Sequence, residues 1–146
     1  MKIVIDGDGC PVKDITIDTA KEYKLEVIIF FDTAHVYQDD YAKVIYVNKG
    51  FDSVDFEILS KIDNGDIVVT GDYGLSGMLL TRGCKVISPK GLIITNSNIE
   101  QLLSQRFISQ KARKAKVRTK GPKKRTNEDD VKYQKNLIRI LNMSSS

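Results

Sequence analysis

The sequence predicts an α/β fold with three layers, in which helices cover both faces of a mainly parallel five-stranded sheet and a further helix ends the chain. Short β-branched apolar runs alternate with segments of helical periodicity along residues 1–91. Turn signals such as DGDG and NG separate them, so the connections are short. Strands and helices that alternate in this way form parallel sheets that are buried on both faces.

The individual elements follow from local patterns. The second helix is expected to begin at Asp52, a favourable N-cap, and the third to end at Gly83. The first helix starts near Pro11, which suits a first helical turn, and reaches about Tyr23. The apolar runs predict strands over residues 2–5, 27–31, 44–47, 66–70 and 85–87.

A length of 146 residues fits one domain. We expect a single domain over residues 1–146 that contains an α/β core, a short edge region, a basic segment and a docking helix. Their boundaries are 1–91 for the core, 92–110 for an edge strand or hairpin followed by a helix, 111–125 for the basic segment, and 126–142 for the C-terminal helix. The basic segment has few apolar residues and is expected to be mobile without a ligand. The predicted docking face of the last helix consists of Val131, Leu137, Ile138 and Leu141.

Positive charge is concentrated in one short stretch. Residues 1–110 hold 11 Lys and Arg against 16 Asp and Glu, whereas residues 111–125 hold nine basic residues and no acidic one. This asymmetry indicates a polyanionic partner. A solvated basic loop that keeps the chain soluble is the alternative.

The candidate contacts to nucleic acid are basic and aromatic. Lys13, in the first helical turn, is placed to meet a phosphate. The basic strip expected to grip the backbone consists of Arg106, Arg113, Lys114, Lys116, Arg118, Lys120, Lys123, Lys124 and Arg125. Packing is the expected role of four aromatic residues near strand ends, with stacking on unpaired bases as the alternative: Tyr37, Tyr41, Tyr46 and Phe51.

Several protein classes are excluded. No apolar run approaches the roughly 20 residues that span a bilayer, and Asp6 interrupts the apolar start, so no membrane span or signal peptide is expected. Cys10 and Cys84 are too few for a disulfide framework, and we interpret both as reduced thiols in the cytoplasm. The expected partner is RNA or another nucleic acid, no membrane partner is expected, and a homodimer stays open.

Carboxylates follow three of the predicted strands. Ligands of open parallel sheets bind outside the carboxyl ends of the strands, so we expect these side chains on one rim. Like charges at close range are costly unless a cation neutralises them, and Mg²⁺ or Mn²⁺ takes oxygen ligands. The expected metal ligands are Asp6, Asp8, Asp52, Asp55 and Asp72, and the expected catalytic residues are Asp6, Asp8, Asp55 and Asp72. A helix cap at Asp52 and an Asx turn at Asp72 are the structural alternatives.

Three stretches of the chain carry a family pattern. They are VIDGDGCPVK (4–13), GFDSVDFEILSKIDNGDIVVTGDYGLSGMLLTRGCKVISPKG (50–91) and KGPKKRTNEDDVKYQKNLIRIL (120–141). Together they resemble the bacterial YaiI/YqxD family, whose pattern includes DADACP, DxxD and DLVVTxDIPLA. The resemblance spans nearly the whole chain. It implies a PIN-like fold, which many Mg²⁺- or Mn²⁺-dependent ribonucleases share.

The resemblance also assigns residues. It implies that the threonine before the last aspartate, Thr70, fixes a turn through its hydroxyl. The acidic positions that it carries over from the first two stretches are Asp6, Asp8, Asp52, Asp55 and Asp72. From the last stretch it carries over Asp129 or Asp130, as supporting residues. The chain departs from the pattern at Gly7 and Gly9, where the family has alanines, a loosening not expected to affect ligation. Further departures are Tyr73 and Ser76 within IPLA, and Lys124 or Arg125 where an aromatic residue is expected.

Three functions are compatible with these features. The first is a metal-dependent nuclease or phosphodiesterase that acts on RNA, or less favourably on DNA, through an Mg²⁺- or Mn²⁺-activated water. The second is a non-catalytic nucleic-acid-binding module of the same fold. The third is a haloacid-dehalogenase-type phosphatase, because DxD after a first strand also suits an aspartyl nucleophile. Cys10-Pro11 stands where those phosphatases usually have a hydroxyl-bearing residue.

Overall fold

The fold is seen in a computed structural model, which describes residues 1–32, 37–47, 53–105 and 125–144. These ranges contain six strands and five helices. The strands are β1 (Lys2–Asp6), β2 (Glu26–Asp32), β3 (Lys43–Val47), β4 (Ile67–Val69), β5 (Lys85–Ile87) and β6 (Ile93–Ile94). The helices are α1 (Lys13–Tyr23), α2 (Val54–Lys61), α3 (Tyr73–Thr81), α4 (described over 99–105) and α5 (Asn127–Ser144). The predicted fold class is confirmed.

One mainly parallel sheet organises the molecule. Its strand order is β3-β2-β1-β4-β5-β6. The strands from β1 to β5 pair in parallel, and β6 pairs antiparallel with β5. The edge strand or hairpin expected after residue 91 is therefore β6, which adds a sixth strand to the five predicted.

Helices cover both faces of the sheet. Ile3 and Ile5 of β1 belong to the core under α1 and α5, whereas Val4 belongs to the core under α2 and α3. Successive side chains of a strand point to opposite faces. Asp6 therefore has the direction of Val4, toward the face that carries α2 and α3.

The C-terminal helix docks through Leu137 and Leu141 as predicted, with Ile138 half-buried, but Val131 is not part of the docking face. Its buried residues are Tyr133, Leu137, Ile140 and Leu141, whereas Val131 is 66% exposed, so the prediction for Val131 is wrong. Tyr133 takes its place because the Tyr133 hydroxyl lies 2.7 Å from the Thr16 hydroxyl and satisfies a buried polar group.

Among the described helices, none has the length and apolar character that a membrane span requires.

An ion pair fixes the alignment of β1 and β4 at the amino edge of the sheet. The Lys2 ammonium lies 2.7 Å from Asp66 Oδ2, and the Lys2 backbone N–H donates to Asp66 Oδ1 at 3.1 Å. Burial acts to raise the pKa of Asp66, but the hydrogen bonds from Lys2 and from the Asp63 backbone outweigh it and lower that pKa. This anchoring sets which residues of β1 and β4 lie side by side at the opposite edge.

The loop after β1 is crowded at Gly7. A Cβ there would lie 2.7 Å from Phe31 Cε1 and 2.8 Å from the Phe30 carbonyl oxygen. The Gly7 N–H donates to that same carbonyl at 2.8 Å. Gly7 is thus crowded by β2 in this chain rather than loosely packed, so the expected loosening is wrong at this position. That the change leaves ligation unaffected stays a prediction.

We expect Gly7→Ala to destabilise the protein by about 1–3 kcal/mol, because overpacking forces backbone and ring to shift. Gly71→Ala is the matched control at the same edge, since its Cβ would meet only Pro89 Cδ, at 3.9 Å. The control should be unchanged or stabilised by about 0.4–1 kcal/mol through the unfolded chain. Urea unfolding of both variants measures this. Equal stabilities would contradict the crowding at Gly7.

Candidate active site at the carboxyl edge of the sheet

The strand order places a crevice between β1 and β4. The chain leaves β1 for β2 on one side and leaves β4 for β5 on the other. In open α/β sheets, ligands bind outside the carboxyl ends of the strands where the order reverses in this way. The pairing of Ile5 with Val69 makes the next residues of each strand, Asp6 and Thr70, neighbours at this point.

A buried hydroxyl joins the two strand ends. Thr70 Oγ1 donates to Asp6 Oδ2 at 3.0 Å and accepts from the Asp72 N–H at 3.1 Å. Thr70 is only 1% exposed, so this hydroxyl depends on these partners rather than on water. The turn-fixing hydrogen bond implied for Thr70 is present, and the same hydroxyl also orients Asp6.

Asp72 is held by the start of α3. It is the N-cap residue, and its Oδ1 accepts from the Leu75 N–H at 3.1 Å. The buried Ser76 donates its hydroxyl to the Asp72 carbonyl oxygen at 2.8 Å. Ser76 thus supports the turn. The Asp72 carboxyl has a structural role as the helix cap, and it also lies on the rim of the candidate site.

Asp55 approaches from the first turn of α2 and contacts Asp72. Partial burial raises the pKa of Asp55, and the charge of Asp72 and a side-chain hydrogen bond between the two carboxyls raise it further. Two carboxyls that share a hydrogen bond hold a proton between them unless a cation replaces it.

Asp6 experiences the sum of these charges. Burial raises the pKa of Asp6 to about 6, and the charges of Asp55, Asp8 and Asp72 add to the rise, while the hydrogen bond from Thr70 opposes it. The described carboxylates predicted to converge are therefore close enough to act on one another. We call Asp6, Asp8, Asp55 and Asp72 the acidic group.

Asp8 stands at the β2 side of the group, where its Oδ2 accepts from the Asp32 N–H at 3.3 Å. Asp52 lies outside the described residues. The predicted cap at Asp52 is wrong, because Ser53 is the N-cap of α2 and its hydroxyl accepts from the Phe56 N–H at 3.1 Å.

Within the described ranges, no three His, Cys, Asp or Glu side chains are arranged as a ready set of metal ligands. The acidic group is therefore a charge cluster and not a preformed cage. Mg²⁺ is commonly held by one or two carboxylates and several waters, so the contacting pair of Asp55 and Asp72 has the donor chemistry that such an ion needs.

The supporting acidic residues of the last motif serve α5 instead. Asp129 Oδ2 accepts from the Thr126 N–H at 2.9 Å, and the Thr126 hydroxyl accepts from the Asp129 N–H at 3.4 Å, as in a capping box. Asp130 pairs with Arg125, their Oδ1 and Nε being 2.7 Å apart. Neither aspartate is among the charges named above as acting on Asp6.

The predicted basic strip falls almost entirely outside the described residues. Arg106, Arg113, Lys114, Lys116, Arg118, Lys120, Lys123 and Lys124 lie in the 106–124 gap. Arg125 is described and ties α5 to the β5–β6 turn, since its Nη1 donates to the Pro89 carbonyl oxygen at 2.7 Å. Lys13 begins α1 and donates to the Cys10 carbonyl oxygen at 2.6 Å.

The two cysteines are free thiols and both are buried. Burial raises the pKa of the Cys10 thiol, which lies next to the acidic group. A protonated thiol is a poor nucleophile. Cys10 therefore serves as a packing residue under the rim.

Tyr37 and Tyr46, two of the four aromatic residues singled out in the sequence, form a cluster with Phe31, which the sequence analysis did not name. Phe31 and Tyr46 are paired residues on β2 and β3, and Tyr37 packs on the same Phe31 ring. That Phe31 and Tyr46 are neighbours across the two strands could be inferred only once the pairing of β2 with β3 was known. Tyr41, in contrast, lies at the opposite edge, where its hydroxyl donates to the Leu25 carbonyl oxygen, and Phe51 lies outside the described residues.

Comparison with known proteins identifies the family. The family model described as "Uncharacterized BCR, YaiI/YqxD family" matches residues 4–143. A "UPF0178 protein" of Lachnoclostridium phytofermentans is 45% identical over 149 residues, covering 100% of both chains. A "UPF0178 protein" of Clostridium kluyveri is 45% identical over 141 residues, covering 97% of this chain and 93% of the relative.

A solved structure also resembles this chain. It is the crystal structure of a mutant of Rae1 (YacP) from Bacillus subtilis, with a TM-score of 0.46 and 20% sequence identity over 100% of both chains. The family match rests on the sequence, since it extends over nearly all of the chain and includes both the DGDGCP and the TGD motifs. The chain therefore belongs to the YaiI/YqxD family.

Proposed function

We propose that this protein is a metal-dependent phosphodiesterase that cleaves RNA, with the acidic group around the reacting phosphate. One observation carries the proposal: four carboxyls from three segments meet at the switch point, and burial with the neighbouring charges raises the pKa of Asp6 to about 6. Crowding of like charges is unfavourable by itself. A bound Mg²⁺ or Mn²⁺ relieves it, which supports a cation site.

The donor chemistry supports the same conclusion. All donors are carboxylate oxygens, the ligands that hard divalent cations prefer. Asp55 and Asp72 would hold the ion as a pair, with Asp6 completing the set and Asp8 nearby. When bound, such a cation polarises the phosphodiester and lowers the pKa of an attacking water.

The chain's own residues orient the carboxyl groups. Thr70 directs one oxygen of Asp6 by its hydrogen bond, so the other oxygen is free to face the crevice. The α3 cap fixes Asp72, because Oδ1 is held by the Leu75 N–H. The pKa of about 6 belongs to Asp6 in the metal-free protein. A bound cation would favour its ionised form, so Asp6 would then serve as a ligand.

A non-catalytic nucleic-acid-binding module is the second candidate. It is favoured by the lack of a ready three-ligand metal set among the described residues. The two candidates differ in their response to metal. Binding of RNA without any calorimetric signal for Mg²⁺ or Mn²⁺ would support the binding module.

Substituting Asp6→Asn and Asp72→Asn together should lower Mn²⁺-dependent cleavage of single-stranded RNA at least about a hundredfold, because two of the carboxylates proposed to hold the cation are lost. Asparagine caps helices as well as aspartate, so α3 should persist. Asp18→Asn, an exposed site on α1, is the control with the same type of charge change. Cleavage by the double variant at the wild-type rate would refute the proposal.

Asp6→Asn should also stabilise the metal-free protein at about pH 7.5. The folded state holds the Asp6 proton with a pKa of about 6 against an ordinary 3.8, so the wild type loses stability as the pH rises through that window. Asparagine stays neutral, and we expect a gain of about 1–3 kcal/mol at about pH 7.5 that disappears near pH 3.5.

Urea unfolding in EDTA at the two pH values measures this gain, with Asp18→Asn again as the control. A pH-independent difference between Asp6→Asn and wild type would mean that the carboxyls are not crowded in the folded state.

A further inference from the structure

Beside the acidic group lies a cluster of three aromatic rings and a lysine, formed by Lys13, Phe31, Tyr37 and Tyr46. The Phe31 ring is buried and lies at its core, with ring centroids 5.2 Å from Tyr37 and 6.2 Å from Tyr46. The Tyr46 hydroxyl accepts from the Tyr37 N–H at 2.8 Å and donates to the Tyr37 carbonyl oxygen at 2.7 Å. Tyr46 is nevertheless 43% exposed. It thus offers solvent a ring that is already fixed in place.

The lysine places a positive charge next to these rings. Lys13 Nζ lies 5.7 Å from the ring centroids of both Phe31 and Tyr37. Its hydrogen bond to the Cys10 carbonyl oxygen holds the ammonium over the loop that follows β1. The first turn of α1 adds the partial positive charge of a helix N-terminus. Anions are therefore favoured at this point.

The cluster and the acidic group adjoin at the carboxyl edge around Gly7. Phe31 lies on the face that carries α1 and α5, whereas Asp6 has the direction of the opposite face. Phe31 contacts Gly7, which stands between Asp6 and Asp8 in the chain. Tyr46 pairs with Phe31 in register. Since neighbouring strands lie about 4.8 Å apart, the Tyr46 backbone is about 10 Å from β1, two strand spacings away.

A pocket of about 380 Å³ extends from the rings along the loop before β3. Tyr37 and Tyr46 line it together with Gln38, Asp39, Asp40, Ala42 and Val44. Asp39 and Asp40 repel phosphate, so the part of a ligand that enters the pocket should be uncharged. A phosphate of the same ligand would lie toward Lys13. A nucleobase attached to a backbone phosphate has this division of charge.

We propose that the cluster is a nucleotide subsite, in which an unpaired base of single-stranded RNA stacks on Tyr46 while its phosphate contacts Lys13. A paired base cannot expose its face in this way, so the subsite selects single strands. Stacking accepts every base and confers little sequence preference. Binding at the subsite does not require cleavage. It rests on the proposed function in one respect, which is that the next phosphate of the same strand would then lie at the acidic group.

The test is binding of a fluorescein-labelled pentauridylate, compared with a sugar-phosphate pentamer that lacks bases, in EDTA so that no cleavage occurs. Tyr46→Leu keeps apolar bulk but removes the ring, and it should weaken pentauridylate binding about tenfold, or about 1.4 kcal/mol, within the range for stacking. It should leave binding of the abasic pentamer unchanged. Tyr46→Phe keeps the ring but loses the hydrogen bonds to Tyr37, so its binding should lie between that of the wild type and that of Tyr46→Leu. Lys13→Gln should weaken binding of both probes.

The amino edge provides matched controls. Tyr41 is 38% exposed and has Lys21 Nζ at 5.7 Å from its ring centroid, which is the same type of contact at the other end of α1. Tyr41→Leu and Lys21→Gln should bind both probes as the wild type does, and thermal melting checks that every variant is folded.

Undiminished binding by Tyr46→Leu, an equal loss in Tyr41→Leu, or tight binding of a duplex of the same length would overturn the subsite. Cleavage is measured separately with Mn²⁺. Selective loss of binding in a protein that never cleaves would leave the subsite standing and remove the proposed function. Cleavage by the protein together with undiminished RNA binding by Tyr46→Leu would support the proposed function and rule out the subsite.

Discussion

The parallel pairing of β1 with β4 is the constraint on which the candidate site depends. Ile5 pairs with Val69, so the residues that follow, Asp6 and Thr70, come within hydrogen-bond distance. At the other edge, the ion pair of Lys2 with Asp66 fixes the same alignment. A shift of one residue would turn Asp6 toward the opposite face of the sheet, away from α2 and α3. The meeting of the carboxyls is thus a consequence of register.

The site has an energetic cost that its scaffold offsets. Burial and like charges disfavour the ionised form of Asp6, as its raised pKa indicates. The central strand beneath it is buried, with Ile3, Val4 and Ile5 at 0% exposure, and this apolar burial stabilises the fold against the unfavourable charges. Functional sites commonly hold such unfavourable arrangements because a ligand relieves them. Under the proposed function, the ligand is a divalent cation with the phosphate of an RNA strand.

The sequence predicted the fold and the carboxyls that converge at the sheet edge better than their detailed geometry. Alternating apolar runs identify the strands, and the rule that ligands meet strand ends identifies Asp6, Asp8, Asp55 and Asp72. Caps were less predictable, because Ser53 competes successfully with the adjacent Asp52 for the start of α2. Close approaches and cross-strand neighbours, such as Phe31 against Gly7, depend on register, which local patterns do not encode.

Crystals grown with Mn²⁺ and measured for anomalous scattering test the central claim most directly, because the ion itself is then located. We expect one strong peak about 2–2.3 Å from carboxylate oxygens of Asp6 and of Asp55 or Asp72, with waters completing its coordination. A protein that holds no ion there at saturating Mn²⁺, with Asp55 and Asp72 still sharing their hydrogen bond, would contradict the account.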